Sequence, residues 1–180
     1  MQIITFLDLK RPLGVMEHKE YIEHEHKRKN VLHFELHLTI YIISYKMKLV
    51  IKDNEQTYTK EDLSIKEIYF GKNFDKSLDF MVFFPNVGVI EFDDKCKFNQ
   101  SIDILGKCKE LAFIHFGSKF NQPITSLEHC NDLETLEFGE DFNQPLDALK
   151  NHHMEMVMLP DTFTHSIDIL EDNNVDIVWN

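Results

Sequence analysis

The chain has 180 residues, 43% of them hydrophobic, and a formal net charge of −12. That length suits one domain with or without a small appendage, and the apolar fraction suits a folded core. The acidic balance speaks against a general binder of nucleic-acid phosphates or of an anionic membrane surface. The most apolar run, Leu38 to Ser44, is far shorter than the roughly 18 to 20 residues that cross a bilayer. Behind the short apolar start stand Asp8 and Lys10 with no small-residue cleavage site, so no signal peptide is read. Three cysteines without a CxxC pair favour reduced thiols in a cytoplasmic setting.

Residues 1–61 carry no repeat and read as an N-terminal α+β cap. "MEHKEYIEHEHKRK" (16–29) is charged and helix-compatible. "VLHFELHLTIYI" (31–42) alternates as a strand does, and "YKMKLVIKD" alternates again through Tyr45, Met47, Leu49 and Ile51. Such strands would cover the open end of a repeat array. A polar connector, "NEQTYTKEDL", follows.

From residue 62 to 180 one phrase recurs: "KFNQSIDILGKC", "KFNQPITSLEHC", "DFNQPLDALKNH". Phe98, Phe120 and Phe142 stand 22 residues apart, and Phe74 and Phe163 extend the series at intervals of 24 and 21. Apolar residues fall nine, six and four positions before the anchors: Ile65, Ile68, Phe70; Leu111, Ile114, Phe116; Leu133, Leu136, Phe138; Met154, Val157, Leu159. The unit of Phe98 needs a two-residue insertion near "DDKCK", which gives Val87, Ile90 and Phe92. Four and seven positions after the anchors, apolar residues recur again, from Leu78 and Met81 to Ile167 and Leu170. Val175 and Val178 match Met154 and Val157 and begin a last half-unit.

"LAFIHFGSKFNQPI" and "LETLEFGEDFNQPL" resemble FNIP repeats, relatives of the leucine-rich repeats. The resemblance covers about two thirds of the chain. It implies a repeat solenoid, leucine-rich-repeat-like, with a parallel sheet of about six short strands and irregular loops. It also implies occurrence in amoebae and their giant viruses, in host cytoplasm where viral. Ser101 departs from the usual proline, and the first and last units ("FDKSL", "FTHSI") are degenerate as terminal units often are. FNIP repeats often follow an F-box, a helical module that docks onto a ubiquitin-ligase adaptor. "ITFLDLKRPLGVMEHKEY" resembles the middle of one through Phe6, Leu7, Leu9 and Leu13, and reads as a truncated remnant.

Each unit is expected to be one strand-and-loop turn of the chain, with the anchor phenylalanines stacked in the core. Gly71, Gly117 and Gly139 are expected to end strands at positive φ, and Pro123 and Pro145 to sit on the loop side. Asn99, Asn121 and Asn143 read as a ladder satisfying backbone groups in tight turns, with a ligand-binding row as the alternative. Cys108 and Cys130 share a register that continues as His152. Their spacing allows a disulfide, and equally a ladder of small buried side chains.

Strand alternation points two columns away from the core. They hold Tyr69, Phe113, His115, Thr135, Glu137, Met156 and Met158, together with Glu67, Val89 and Glu91. Such a face serves either as an ordinary sheet surface, open or covered by the N-terminal segment, or as a binding face for a protein partner. His24, His26, His33 and His37 lack any zinc-binding spacing, and no glycine-rich phosphate loop, nucleophile elbow or isolated carboxylate pair is present. The expectation is a non-catalytic protein–protein interaction module with no cofactor and no metal. The rivals are a ubiquitin-ligase substrate adaptor, a decayed repeat copy suggested by the chain's start and end, and, least, an enzyme.

Overall fold

Parallel pairing of short strands organises the described residues. The computed structural model describes residues 48–52 and 62–180, which belong to one unit, Ser44–Asn180. Its strands are β1 (Lys48–Ile51), β2 (Glu67–Phe70), β3 (Val89–Phe92), β4 (Phe113–His115), β5 (Thr135–Glu137), β6 (Met156–Leu159) and β7 (Asp176–Trp179). They form a single sheet of seven parallel strands in chain order. The expected count was about six. The seventh is β1, part of the second alternating stretch, which pairs in parallel with β2 through Ile51 and Phe70. The stretches 16–29 and 31–42, the F-box-like segment and most of the polar connector lie outside the described residues.

Alternation within each strand fixes which side chains are buried. Ile68, Ile90, Ile114, Leu136 and Val157 are at most 1% exposed and lie opposite one another across the pairs. Ile65, Val87, Leu111, Leu133 and Met154, nine before their anchors or the inserted equivalent, are buried as well. The apolar positions four and seven after each anchor are three residues apart, one turn of a 3-10 helix. In five successive units the amide at the second donates to the carbonyl of the first, as Leu105 does to Ile102 and Leu127 to Ile124, both at 2.9 Å. These turns stand where irregular loops were expected; in the last unit the turn becomes a short helix, α1 (Asp168–Asp172).

The phenylalanines form two stacked columns. Phe98, Phe120, Phe142 and Phe163 follow at 6.0, 6.2 and 6.1 Å, with ring planes 2 to 6° apart. Phe70, Phe92, Phe116 and Phe138 make the second column, and the two interlock, Phe116 against Phe120 at 3.9 Å. Burying each ring stabilises by roughly 1.5–3 kcal/mol. Phe74 joins its column at a steeper angle, 31° to Phe98.

The asparagines form a second ladder, of hydrogen bonds. Asn121 N–H donates to Asn99 Oδ1 (2.9 Å), Asn143 N–H to Asn121 Oδ1 (2.9 Å), and Thr164 N–H to Asn143 Oδ1 (3.0 Å). Gln122 and Gln144 donate to the same oxygens at 3.0 Å. Each side-chain oxygen thus serves backbone and side-chain donors one unit on, donors that the sheet ladder does not reach. Where the proline of the phrase is replaced, Ser77, Ser101 and Ser166 accept from the amide two residues later and open the next turn.

Two expectations are corrected. No glycine among the described residues has a positive φ. The glycines are needed for room: a Cβ on Gly117 would lie 2.5 Å from Asp93 O, and one on Gly139 2.5 Å from Ser118 Cα. Val178 is not the partner of Val157; Ile177 is, and Val178 opposes Met158. The cause is the end of α1. Asn174 takes φ 54°, Val175 N–H reaches Leu170 O and Asn174 N–H reaches Glu171 O, a Schellman closure. It delivers the chain to β7 one residue early, and a one-residue slip exchanges the two faces of a strand.

Cys96, Cys108 and Cys130 are free, buried thiols. Cys130 Sγ donates to Leu105 O at 3.4 Å, and His152 Nε2 to Cys130 O at 3.0 Å, so the third member of that register hangs on the second. His152 Nδ1 is buried without a hydrogen-bond partner. Cys96 explains the insertion. Its amide donates to Asp93 O, as an anchor phenylalanine's does to the glycine before it, and its sulfur reaches Gly71 O and Phe74 O. Phe98, two residues later, supplies the ring.

Candidate interaction surface

The outer side of the sheet carries the two columns left by the buried ones. One runs Lys48, Glu67, Val89, Phe113, Thr135, Met156, Asp176; the other runs Val50, Tyr69, Glu91, His115, Glu137, Met158, Val178. From Glu67 to Met158 every one of these side chains is half-buried. No described helix is long and apolar enough to cross a membrane.

Polar groups converge on β2 to β5. Tyr69 hydroxyl donates to Asp93 Oδ2 at 2.9 Å. Burial, and then the Asp93 carboxylate, push the Tyr69 phenol up to about 12. The Lys95 amide and the Tyr69 hydroxyl hold Asp93 below the usual carboxylate range. His115 stands between two carboxylates, Nδ1 at 2.8 Å from Glu137 and Nε2 at 3.1 Å from Asp94. Either ring nitrogen can donate to the carboxylate it faces. Lys48 lies 3.6 Å from Glu67 and 3.8 Å from Glu91, an exposed arrangement of small energetic weight.

Between these groups lies a cleft of about 280 Å³, walled by Tyr69 and Phe113 and rimmed by Glu91, Asp93, His115 and Glu137. Thr135, Met156 and Met158 share the face but lie outside the cleft, and with Val178 the methionines give β6 and β7 an apolar character. Larger hollows of about 460 and 440 Å³ lie between neighbouring turns, around Pro123 and Pro145 and around Pro145 and His165. They occupy equivalent places in successive units, so they are the groove the repeat leaves behind rather than a distinct site.

Asp93 and Asp94 escaped the sequence reading because they follow a strand instead of lying in it. The signal was the insertion itself: the place that Gly71, Gly117 and Gly139 take after β2, β4 and β5 is held by Asp93 here. No group of His, Cys, Asp and Glu side chains that could hold a metal ion occurs among the described residues. No protein-family model matches the chain, and no curated protein matches it.

Proposed function

We propose that the chain is an FNIP-type, leucine-rich-repeat-like solenoid that acts as a protein interaction module, with the outer strand face as its binding surface. The observation that carries this reading is the contrast across one sheet. The buried columns repeat one chemistry from unit to unit, while the outer columns change from Tyr69 to Glu91, His115, Glu137 and Met158. A structural repeat that varies only where it faces outward supports a surface composed for recognition.

Affinity capture from the cytoplasm of the source cell tests it. The wild-type chain is compared with a variant carrying Phe113→Glu, Met156→Glu and Met158→Glu. Loss of the captured partner from a variant that still melts near the wild-type temperature is the expected result. Undiminished capture places the binding surface elsewhere.

A further inference from the structure

We propose that the strand face takes a basic, extended partner segment, with an arginine or lysine seated between Tyr69 and Phe113 among the carboxylates, and an apolar side chain three or four residues away resting on Met156 and Met158. This deepens the interaction reading above and rests on it.

Charge selects the partner. The outward positions of β2 to β7 hold Glu67, Glu91, Glu137 and Asp176 and no lysine or arginine. Each of the two nitrogen-bearing side chains on the face, Lys48 and His115, stands between two carboxylates. Lys48 serves Glu67 and Glu91, and His115 serves Asp94 and Glu137, so both groupings stay negative. Lys72 and Lys95 act on Asp93 through space. Each grouping therefore carries negative charge in excess, shared between its two carboxylates, and Glu91 and Glu137 bring part of it to the rim of the cleft. Complementary potential of this kind draws in cationic partners and repels acidic ones.

Shape selects the side chain. The cleft sets aromatic rings beside carboxylates, and a guanidinium fits both at once, stacking on a ring while its N–H groups reach carboxylate oxygens. Spacing selects the sequence. The cleft centres on β3 and β4, and Met156 and Met158 belong to β6, two to three strands away. At about 4.8 Å per strand that is roughly 10–14 Å, or three to four residues of extended peptide at about 3.3 Å each. Methionines adapt to varied apolar side chains, so the basic anchor is the more specific of the two.

A random peptide library displayed on phage, panned against the full chain, tests the proposal. Enriched peptides are expected to carry Arg or Lys three or four residues from an apolar residue. A synthetic peptide of that sequence is expected to bind more weakly as salt rises. Glu91→Lys should weaken it about tenfold or more, and Glu91→Gln less, with melting unchanged. Enrichment of neutral or acidic peptides only, or of none, overturns the proposal. Peptides insensitive to Glu91→Lys but lost with Met158→Glu leave the strand-face reading standing and remove the basic anchor. Peptides insensitive to both remove the face itself.

Discussion

The column Ile68, Ile90, Ile114, Leu136, Val157, Ile177 and the column beside it, Tyr69, Glu91, His115, Glu137, Met158, Val178, belong to the same strands and face opposite ways. The first changes only among branched aliphatics, and its members through Val157 are almost completely buried. The second contains a phenol, two carboxylates, an imidazole and a thioether. Parallel in-register pairing imposes the difference. Each inward side chain meets its counterpart in the next unit, so a change of volume or polarity is felt twice, whereas an outward one meets water on one side. Constancy therefore marks what the fold needs, and variety marks what it leaves open.

The largest test of that contrast compares two phenylalanines seven residues apart. Phe120 is 1% exposed and stacks on Phe98, Phe116 and Phe142. Phe120→Ala should destabilise by about 3–5 kcal/mol, since it opens a cavity shared by two ring columns. Phe113, half-buried on the outer face, should cost less than about 1 kcal/mol on the same change. Urea denaturation of both variants measures this, and equal losses would dissolve the distinction between the two faces.

A smaller effect comes from the buried thiols. Burial pushes Cys108 and Cys130 up to about 11, with Cys130 adding to the shift of Cys108. The native state then keeps protons that the unfolded thiols release near pH 9. Stability is complete below about pH 9 and falls as pH rises toward 11, by up to about 2.5 kcal/mol per thiol. Chemical denaturation between pH 8 and 11 should give a shallower decline for Cys108→Ala/Cys130→Ala than for wild type. Tyr69, pushed up to about 12, declines in the same direction in both chains and leaves the difference intact. Identical slopes would mean that the inner register tolerates charge.

The sequence made the sheet legible because the buried side chains recur at fixed offsets from Phe74, Phe98, Phe120, Phe142 and Phe163. The asparagine column was legible for the same reason. Three features were not. A glycine at the end of a strand fits positive φ and close approach equally well, and only the backbone of the preceding unit separates them. The register of β7 depends on Asn174 adopting a left-handed turn, one residue whose effect is to shift four. The cleft depends on Asp93 and Asp94, which a two-residue insertion brings beside Tyr69 and His115 from outside any strand. Periodicity reads what repeats, and the candidate site is built partly from what breaks the repeat.

The asparagine column sharpens the comparison at smaller magnitude, because it is polar and constrained alike. Asn121 Oδ1 accepts from Asn143 N–H and from Gln144 Nε2, and its own amide donates back to Asn99. These bonds ask for an oxygen at the position, and the column accordingly holds Asp75 at one end, accepting from Gln100, while at the other end the Thr164 hydroxyl donates back to Asn143 Oδ1. Asn121→Ala leaves a backbone amide without its protein acceptor and should cost about 1–2 kcal/mol. Asn121→Asp keeps the acceptor and should retain most of that stability, with the remainder set by the added negative charge. Thermal melts of the two variants separate the accounts. If Asp proves as damaging as Ala, the oxygen is not what holds the column, and the constancy of Asn99, Asn121 and Asn143 then reflects the amide nitrogen.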